Sequence, residues 1–111
     1  QYNAIAVLKG ANTVVASPEG GTVYVNPTGN PGLAKGGSGD MLAGMIASLV
    51  AQGMDCYSAS RAGVYLHGLC GDEASKKHSV RALTPSLCIR EMPKVFKRME
   101  TYTPAVYYNI K

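Results

Sequence analysis

The run Asn30-Pro31-Gly32-Leu33-Ala34-Lys35-Gly36-Gly37-Ser38-Gly39-Asp40-Met41-Leu42-Ala43-Gly44 joins a glycine-rich loop to an apolar helix and sets a carboxylate at the junction. Met41, Leu42, Met45, Ile46, Leu49 and Val50 recur at helical spacing, which predicts a helix that starts between Ser38 and Asp40 and stops at Gly53. The first turn of such a helix has free N–H groups, its dipole favours an anion, and the glycines let the backbone come close to one. A carboxylate in that turn would be repelled by a resident phosphate. Asp40 makes more sense there if it takes the proton of a hydroxyl that attacks, or receives, a transferred phosphoryl group. The plainer reading is an Asp40 that caps the helix.

Two common phosphate motifs are absent. Lys35 precedes the glycine pair and no lysine follows it, so the run is not a Walker loop. Counting from Gly37 gives Gly37, Gly39 and then Leu42, and Asn26-Pro27-Thr28-Gly29-Asn30-Pro31 separates the glycines from any strand, so the dinucleotide fingerprint fails as well.

The 111 residues suit one small domain with a modest core. Hydrophobic residues at 46% and charged ones at 16% give enough apolar surface for packing and too little charge for disorder. The formal net charge is +4, but Arg81, Arg90, Lys94, Lys97 and Arg98 are scattered and not interleaved with aromatics, which argues for a solvated surface and against nucleic acid. Lys76, Lys77 and His78 form one short cluster that a helix C-terminus explains. No apolar stretch is long enough for a membrane span, so this portion reads as soluble, with no membrane partner.

Cys56, Cys70 and Cys88 make no C-x-x-C and have no histidine at ligand spacing, which disfavours a disulfide framework or a metal site and favours a reducing, cytoplasmic setting. Cys70 follows Ala62, Tyr65, Leu66 and Leu69 on the apolar side of a helical pattern and reads as packing. His67 reads as a core or boundary histidine, since no nucleophile with a partner carboxylate is placed around it.

The predicted elements are a buried strand over Ala4 to Leu8, short strands over Thr13 to Ala16 and Thr22 to Val25, and helices thereafter. Asp55 is expected to cap a helix from about Cys56 to Gly71 or slightly beyond, and Thr84 with Pro85 to start another. Pro93 interrupts the last pattern, so a short helix should end near Glu91 and a second should carry Val95, Phe96 and Met99 inward. Three strands and three or four helices do not cover both faces of a parallel sheet, so a missing N-terminal half is expected. Taken alone, Lys9-Gly10-Ala11-Asn12-Thr13 reads as an ordinary hairpin turn.

The glycine run with its Gly-Asp ending resembles the anion hole of the ribokinase-like superfamily, and the wording from Asn26 through Gly44 is similar to the carbohydrate-kinase-like NAD(P)H-hydrate dehydratases. Val7 through Thr13 resembles their nucleotide-binding strand and turn, Tyr65-Leu66-His67-Gly68 their following helix, and Leu83-Thr84-Pro85 onward their closing helices. The likeness covers roughly residues 4 to 99. It implies an α/β fold, the C-terminal part of a ribokinase-like three-layer domain over residues 1–101, with 102–111 a tail. It implies phosphorylation of the hydroxyl of hydrated NADH or NADPH by ADP or ATP, after which loss of phosphate restores the reduced nicotinamide.

In that reading Asp40 is the base and contacts the hydrate. Gly36, Gly37, Ser38 and Gly39 form the anion hole, and Lys9, Gly10, Ala11, Asn12, Thr13 and Gly39 hold the nucleotide. Lys35 could add charge. Mg2+ accompanies the nucleotide without a dedicated protein site, ADP is the favoured donor, and the full-length protein is a homo-oligomer. The same loop would serve a hydroxymethylpyrimidine or thiazole kinase, or survive in a non-catalytic binding module. A kinase would accumulate a phosphorylated product.

Overall fold

A computed structural model describes residues 4–10, 12–21 and 23–102 of the chain. The tail expected from 102 onward therefore lies almost wholly outside the described residues, as does Ala11. Three strands, β1 (Ala6–Leu8), β2 (Val14–Ala16) and β3 (Val23–Val25), are followed by a 3-10 turn at Pro31–Leu33 and by helices α1 (Ser38–Ala51), α2 (Cys56–His78), α3 (Pro85–Arg90) and α4 (Met92–Tyr102). The order of strands and helices is the expected α/β one.

The sheet departs from expectation in direction and burial. Its strands form an antiparallel meander in the order β1-β2-β3, with Val7 opposite Val15 and Val15 opposite Tyr24. A two-fold side-chain alternation follows from that register. Val7, Val15 and Tyr24 point inward to Leu42 and Val64, while Leu8, Val23 and Val25, on the other face, are 63%, 52% and 57% exposed. The first strand is thus half-buried and shorter than Ala4 to Leu8. Apolar side chains on both faces fit burial on both sides, the mark of a parallel sheet; hairpin connections too short for a crossover decide against it.

The helices begin and end where local chemistry directs. Asp55 accepts the Ser58 N–H at 2.9 Å and caps α2, and Thr84 accepts the Leu87 N–H at 3.3 Å ahead of Pro85 and caps α3. Helix α1 closes at Gln52, and Gly53 follows with φ 110°. The expected break near Glu91 separates α3 from α4, with Pro93 in the first turn of α4, where its missing N–H costs nothing. Helix α2 runs seven residues past Gly71, to His78. Lys76, Lys77 and His78 do occupy its last turn.

The main core lies among the helices, around Met45, Leu66, Cys70, Leu83, Cys88 and Val95. Cys70 and Cys88 are buried free thiols, and burial pushes the Cys70 thiol up to about 12, which leaves it a packing group. Buried Glu73 ties α4 to α2 by accepting Lys76, Lys94 and Arg98 at 3.1–3.3 Å. Glu91 pairs one oxygen with Lys77 at 3.1 Å, and among the described residues its other oxygen is buried without a partner.

Glycines in α2 mark its closest approaches. A Cβ on Gly63 would stand 2.6 Å from Ile46 Cγ1, one on Gly71 would stand 2.8 Å from Leu33 Cδ2, and one on Gly68 would overlap Thr28 Oγ1. Gly68→Ala is therefore expected to cost about 1–3 kcal/mol through overpacking. Gly44→Ala, a helical site with open space around its Cβ position, should instead stabilise by roughly 0.5–1 kcal/mol. Denaturant unfolding of the two variants checks the pair.

Hydrogen bonds from Lys76 above all, then from Arg98 and Lys94, hold the Glu73 carboxyl near 2 against an ordinary 4.5, although burial opposes the shift. A carboxyl with a lowered folded pKa stabilises the protein above its unfolded value, and that contribution disappears as pH falls from 4.5 through 2. The thermal midpoint of Glu73→Gln should lie below wild type near neutrality, and the two curves should converge on acidification across that window.

Candidate active site

Hydrogen bonds to α2 fix the path of the segment before α1. Asn26, buried, accepts the Tyr24 hydroxyl at 3.0 Å and donates to Thr28 Oγ1 at 2.9 Å and to the Val64 carbonyl at 3.4 Å. Thr28 donates to the Tyr65 carbonyl at 3.0 Å. The Asp72 carboxylate then takes the Gly29 N–H at 2.9 Å on one oxygen and Asn30 Nδ2 at 3.0 Å on the other. Asn30 caps the 3-10 turn by accepting the Gly32 N–H.

Farther on, Gly37 is the N-cap of α1 in the left-handed region at φ 91°, with no side-chain cap. Ser38 N–H closes a turn on the Lys35 carbonyl and Met41 N–H returns to the Gly37 carbonyl. Among the described residues, the N–H groups of Gly39 and Asp40 make no such bond to the loop. Asp40 is exposed and forms no cap, so the plainer reading of that residue fails.

The two stretches singled out in the sequence meet here. Lys9, at the end of β1, reaches across so that its ammonium lies 2.5 Å from where a Cβ on Gly39 would stand. A cation thus sits over the positive end of a helix, an arrangement that an anion between them would relieve. Lys9, Gly10 and Thr13 lie where the antiparallel strands β1 and β2 are joined, and form a wall of the site. Lys9, Gly10 and Thr13 line a cavity of about 710 Å³ with Asn26, Asn30, Lys35, Gly36, Ser38 and His67. That volume suits a nucleotide-sized ligand.

Other predicted residues are placed differently. Asn12, Gly37 and Gly39 do not line the cavity. Gly39 is a helical glycine, and of Gly36, Gly37 and Gly39 it is Gly37 that needs backbone angles glycine favours. Lys35 lines the rim with its ammonium donating to the Arg81 carbonyl at 2.6 Å. Asp40 faces a smaller depression of about 290 Å³ on the far side of the first turn, shared with Met41, Met45, Ile89, Met92 and Phe96.

His67, read from the sequence as a core histidine, is buried and also belongs to the site. Its Nε2 lies 3.1 Å from the Ser38 carbonyl and 3.2 Å from Ser38 Oγ. Burial first, and the Lys9 charge with it, lower the His67 pKa, while the Ser38 carbonyl opposes the shift. Asp72 escaped the sequence reading. The signal for it was present in Gly68 and Gly71, since glycines inside a long helix cost stability unless another backbone must come near.

The family model for NAD(P)H-hydrate dehydratases matches residues 1–94. The chain belongs to that family. It is 46% identical over 100 residues to the bifunctional NAD(P)H-hydrate repair enzyme of Moorella thermoacetica, covering 90% of this chain and 19% of the relative. Against the ADP-dependent (S)-NAD(P)H-hydrate dehydratase of Bacillus subtilis it is 42% identical over 100 residues, 90% of this chain and 36% of the relative. The structure of the ADP/ATP-dependent dehydratase from Bacillus subtilis, co-crystallised with ATP and Mg2+, superposes with a TM-score of 0.81 at 43% identity, over 86% of this chain and 34% of that one. The chain thus spans about a fifth to a third of the length of these relatives. The kinase alternative finds no support in them.

For this dehydratase-family chain, Gly37→Val combines a left-handed backbone cost of roughly 1–2 kcal/mol with a Cβ 3.2 Å from Pro85 Cγ. Where ADP binds over this turn in a longer protein carrying these residues, its thermal stabilisation should be lost in Gly37→Val and kept in Gly21→Ala, whose Cβ meets open space away from the cavity. Full ADP stabilisation of Gly37→Val would put the nucleotide elsewhere.

Proposed function

We propose that the full-length protein dehydrates NAD(P)H hydrate, with ADP or ATP as phosphoryl donor. The observation that carries this is the approach of the Lys9 ammonium to Gly39 in the first turn of α1, the turn that also carries Asp40. The nucleotide occupies the large cavity against Lys9, Gly10 and Thr13, which line it, and extends toward Asn12 and Gly39 at its margin. Its terminal phosphoryl group lies over the anion hole of Gly36, Gly37, Ser38 and Gly39.

The hydrate hydroxyl approaches from the Asp40 side. Asp40 takes its proton as the oxygen attacks phosphorus, and the P–O bond to the departing nucleotide breaks. The new phosphate ester then loses phosphate, and a proton leaves the neighbouring ring carbon, which forms the double bond of the reduced nicotinamide. Charge that builds on the transferring group is met by N–H groups already aimed at it, and by the Lys9 ammonium.

No group of three or more histidine, cysteine, aspartate or glutamate side chains that could hold a metal occurs among the described residues. Mg2+ therefore belongs in this proposal to the nucleotide phosphates, and no step is routed through it. No described helix is long and apolar enough to cross a membrane. The proposal places the full-length protein in the cytoplasm as a homo-oligomer, on the strength of the family resemblance.

Asp40→Asn keeps the shape of the turn and removes the base. Return of the reduced-nicotinamide absorbance from hydrated NADH should slow by roughly two to four orders of magnitude, while ADP affinity changes little. Near wild-type turnover in that variant would remove Asp40 from the chemistry.

A further inference from the structure

The contact between His67 and Ser38 ties the direction of the Ser38 hydroxyl to the tautomer of the ring. A carbonyl oxygen only accepts, so the 3.1 Å approach of Nε2 to the Ser38 carbonyl is a hydrogen bond only with the proton on Nε2. A protonated Nε2 cannot also accept from the Ser38 hydroxyl 3.2 Å away. Ser38 Oγ is then an acceptor toward His67, and its own proton points to another group. Ser38 is 3% exposed and His67 7%, so bulk water is a poor receiver. Both residues line the large cavity beside Lys9 and Gly36.

We propose that the Ser38 hydroxyl donates to the phosphoryl group of the bound nucleotide, and that His67 is the positioning residue that aims it. The inference rests on the nucleotide reading given above and adds to it a side-chain donor within the backbone anion hole. The histidine holds the first turn of α1 by its carbonyl and fixes the direction of the hydroxyl in the same contact. The lowered His67 pKa agrees with a neutral ring near neutrality. With the proton on Nε2, the Ser38 hydroxyl is a donor toward the cavity whether the ring is neutral or charged.

The test is calorimetric titration of the full-length protein with ADP and, separately, with adenosine, which has no phosphate. Ser38→Ala should weaken ADP about tenfold or more, the usual effect of losing a hydrogen bond to a charged group, and leave adenosine unchanged. His67→Leu should weaken ADP similarly, and the double variant should lose little beyond either single one. His67→Gln, whose amide can still donate to the Ser38 carbonyl, should recover most of the affinity, which a role in packing alone does not predict. Should His67→Leu fail to fold, Ser38→Ala decides alone, since it removes one oxygen. Wild-type ADP affinity in Ser38→Ala overturns the proposal, and if Asp40→Asn is still inactive the function stands without it. Absence of ADP binding by the wild-type protein overturns both.

Discussion

The Asp72 carboxylate is the fixed point of this structure. Both its oxygens are used, one by the Gly29 N–H and one by the Asn30 side chain, across more than 40 residues of sequence. The segment from Asn26 to Gly37 has only a short 3-10 turn of its own, so its path depends on anchors outside it. Helix α2 supplies them: the Val64 and Tyr65 carbonyls take the Asn26 and Thr28 side chains, Asp72 takes the Gly29 N–H and the Asn30 side chain, and one element later His67 meets Ser38. A loop that would otherwise be free is thereby laid along a rigid helix. The N–H groups at its end inherit that rigidity, which is what preorganised stabilisation of a transferring charge requires.

Close approach is the other half of the same arrangement. Hydrogen bonds of about 3 Å between a loop and a helix need the backbones nearly in contact, and Gly68 and Gly71 supply that room at Thr28 and Leu33. Helical glycine lowers stability by about 1 kcal/mol relative to alanine. The helix offsets this with the Asp55 cap at one end and the Glu73 cluster beyond Gly71, where three cations converge on one buried carboxylate. Breaking such a buried cluster by removing one partner is costly even where forming it gains little.

Much of this was legible in the sequence, and the limits have physical causes. The caps at Asp55 and Thr84, the stop at Gly53 and the division at Glu91 depend on residues next to each other, and pattern reading finds them. The antiparallel pairing of the strands depends on connection length more than on composition. Val14-Val15-Ala16 reads the same in either sheet. The length of α2 was underestimated because Gly71 looks like a stop, whereas tertiary packing against Leu33 overrides its propensity. His67 was read as a core residue and is buried, but no local signal tells that its partner is Ser38, 29 residues earlier.

The carboxylates of α1 and α2 divide their tasks. Asp55 caps a helix, Asp72 holds the loop and Glu73 ties α4 in place, so the oxygens of each are committed to N–H groups or cations. Asp40 differs. It is exposed, and among the described residues no hydrogen bond or ion pair engages it, although it stands in a first helical turn, where a structural carboxylate would find donors readily. A carboxylate already engaged by a donor is a weaker base, and one buried among cations cannot shed or gain a proton without cost to the fold. In the proposed reaction Asp40 is free to meet a substrate hydroxyl because it bears none of the structure. Its neighbours Gly39 and Ser38 remain fixed by contacts that do not involve it.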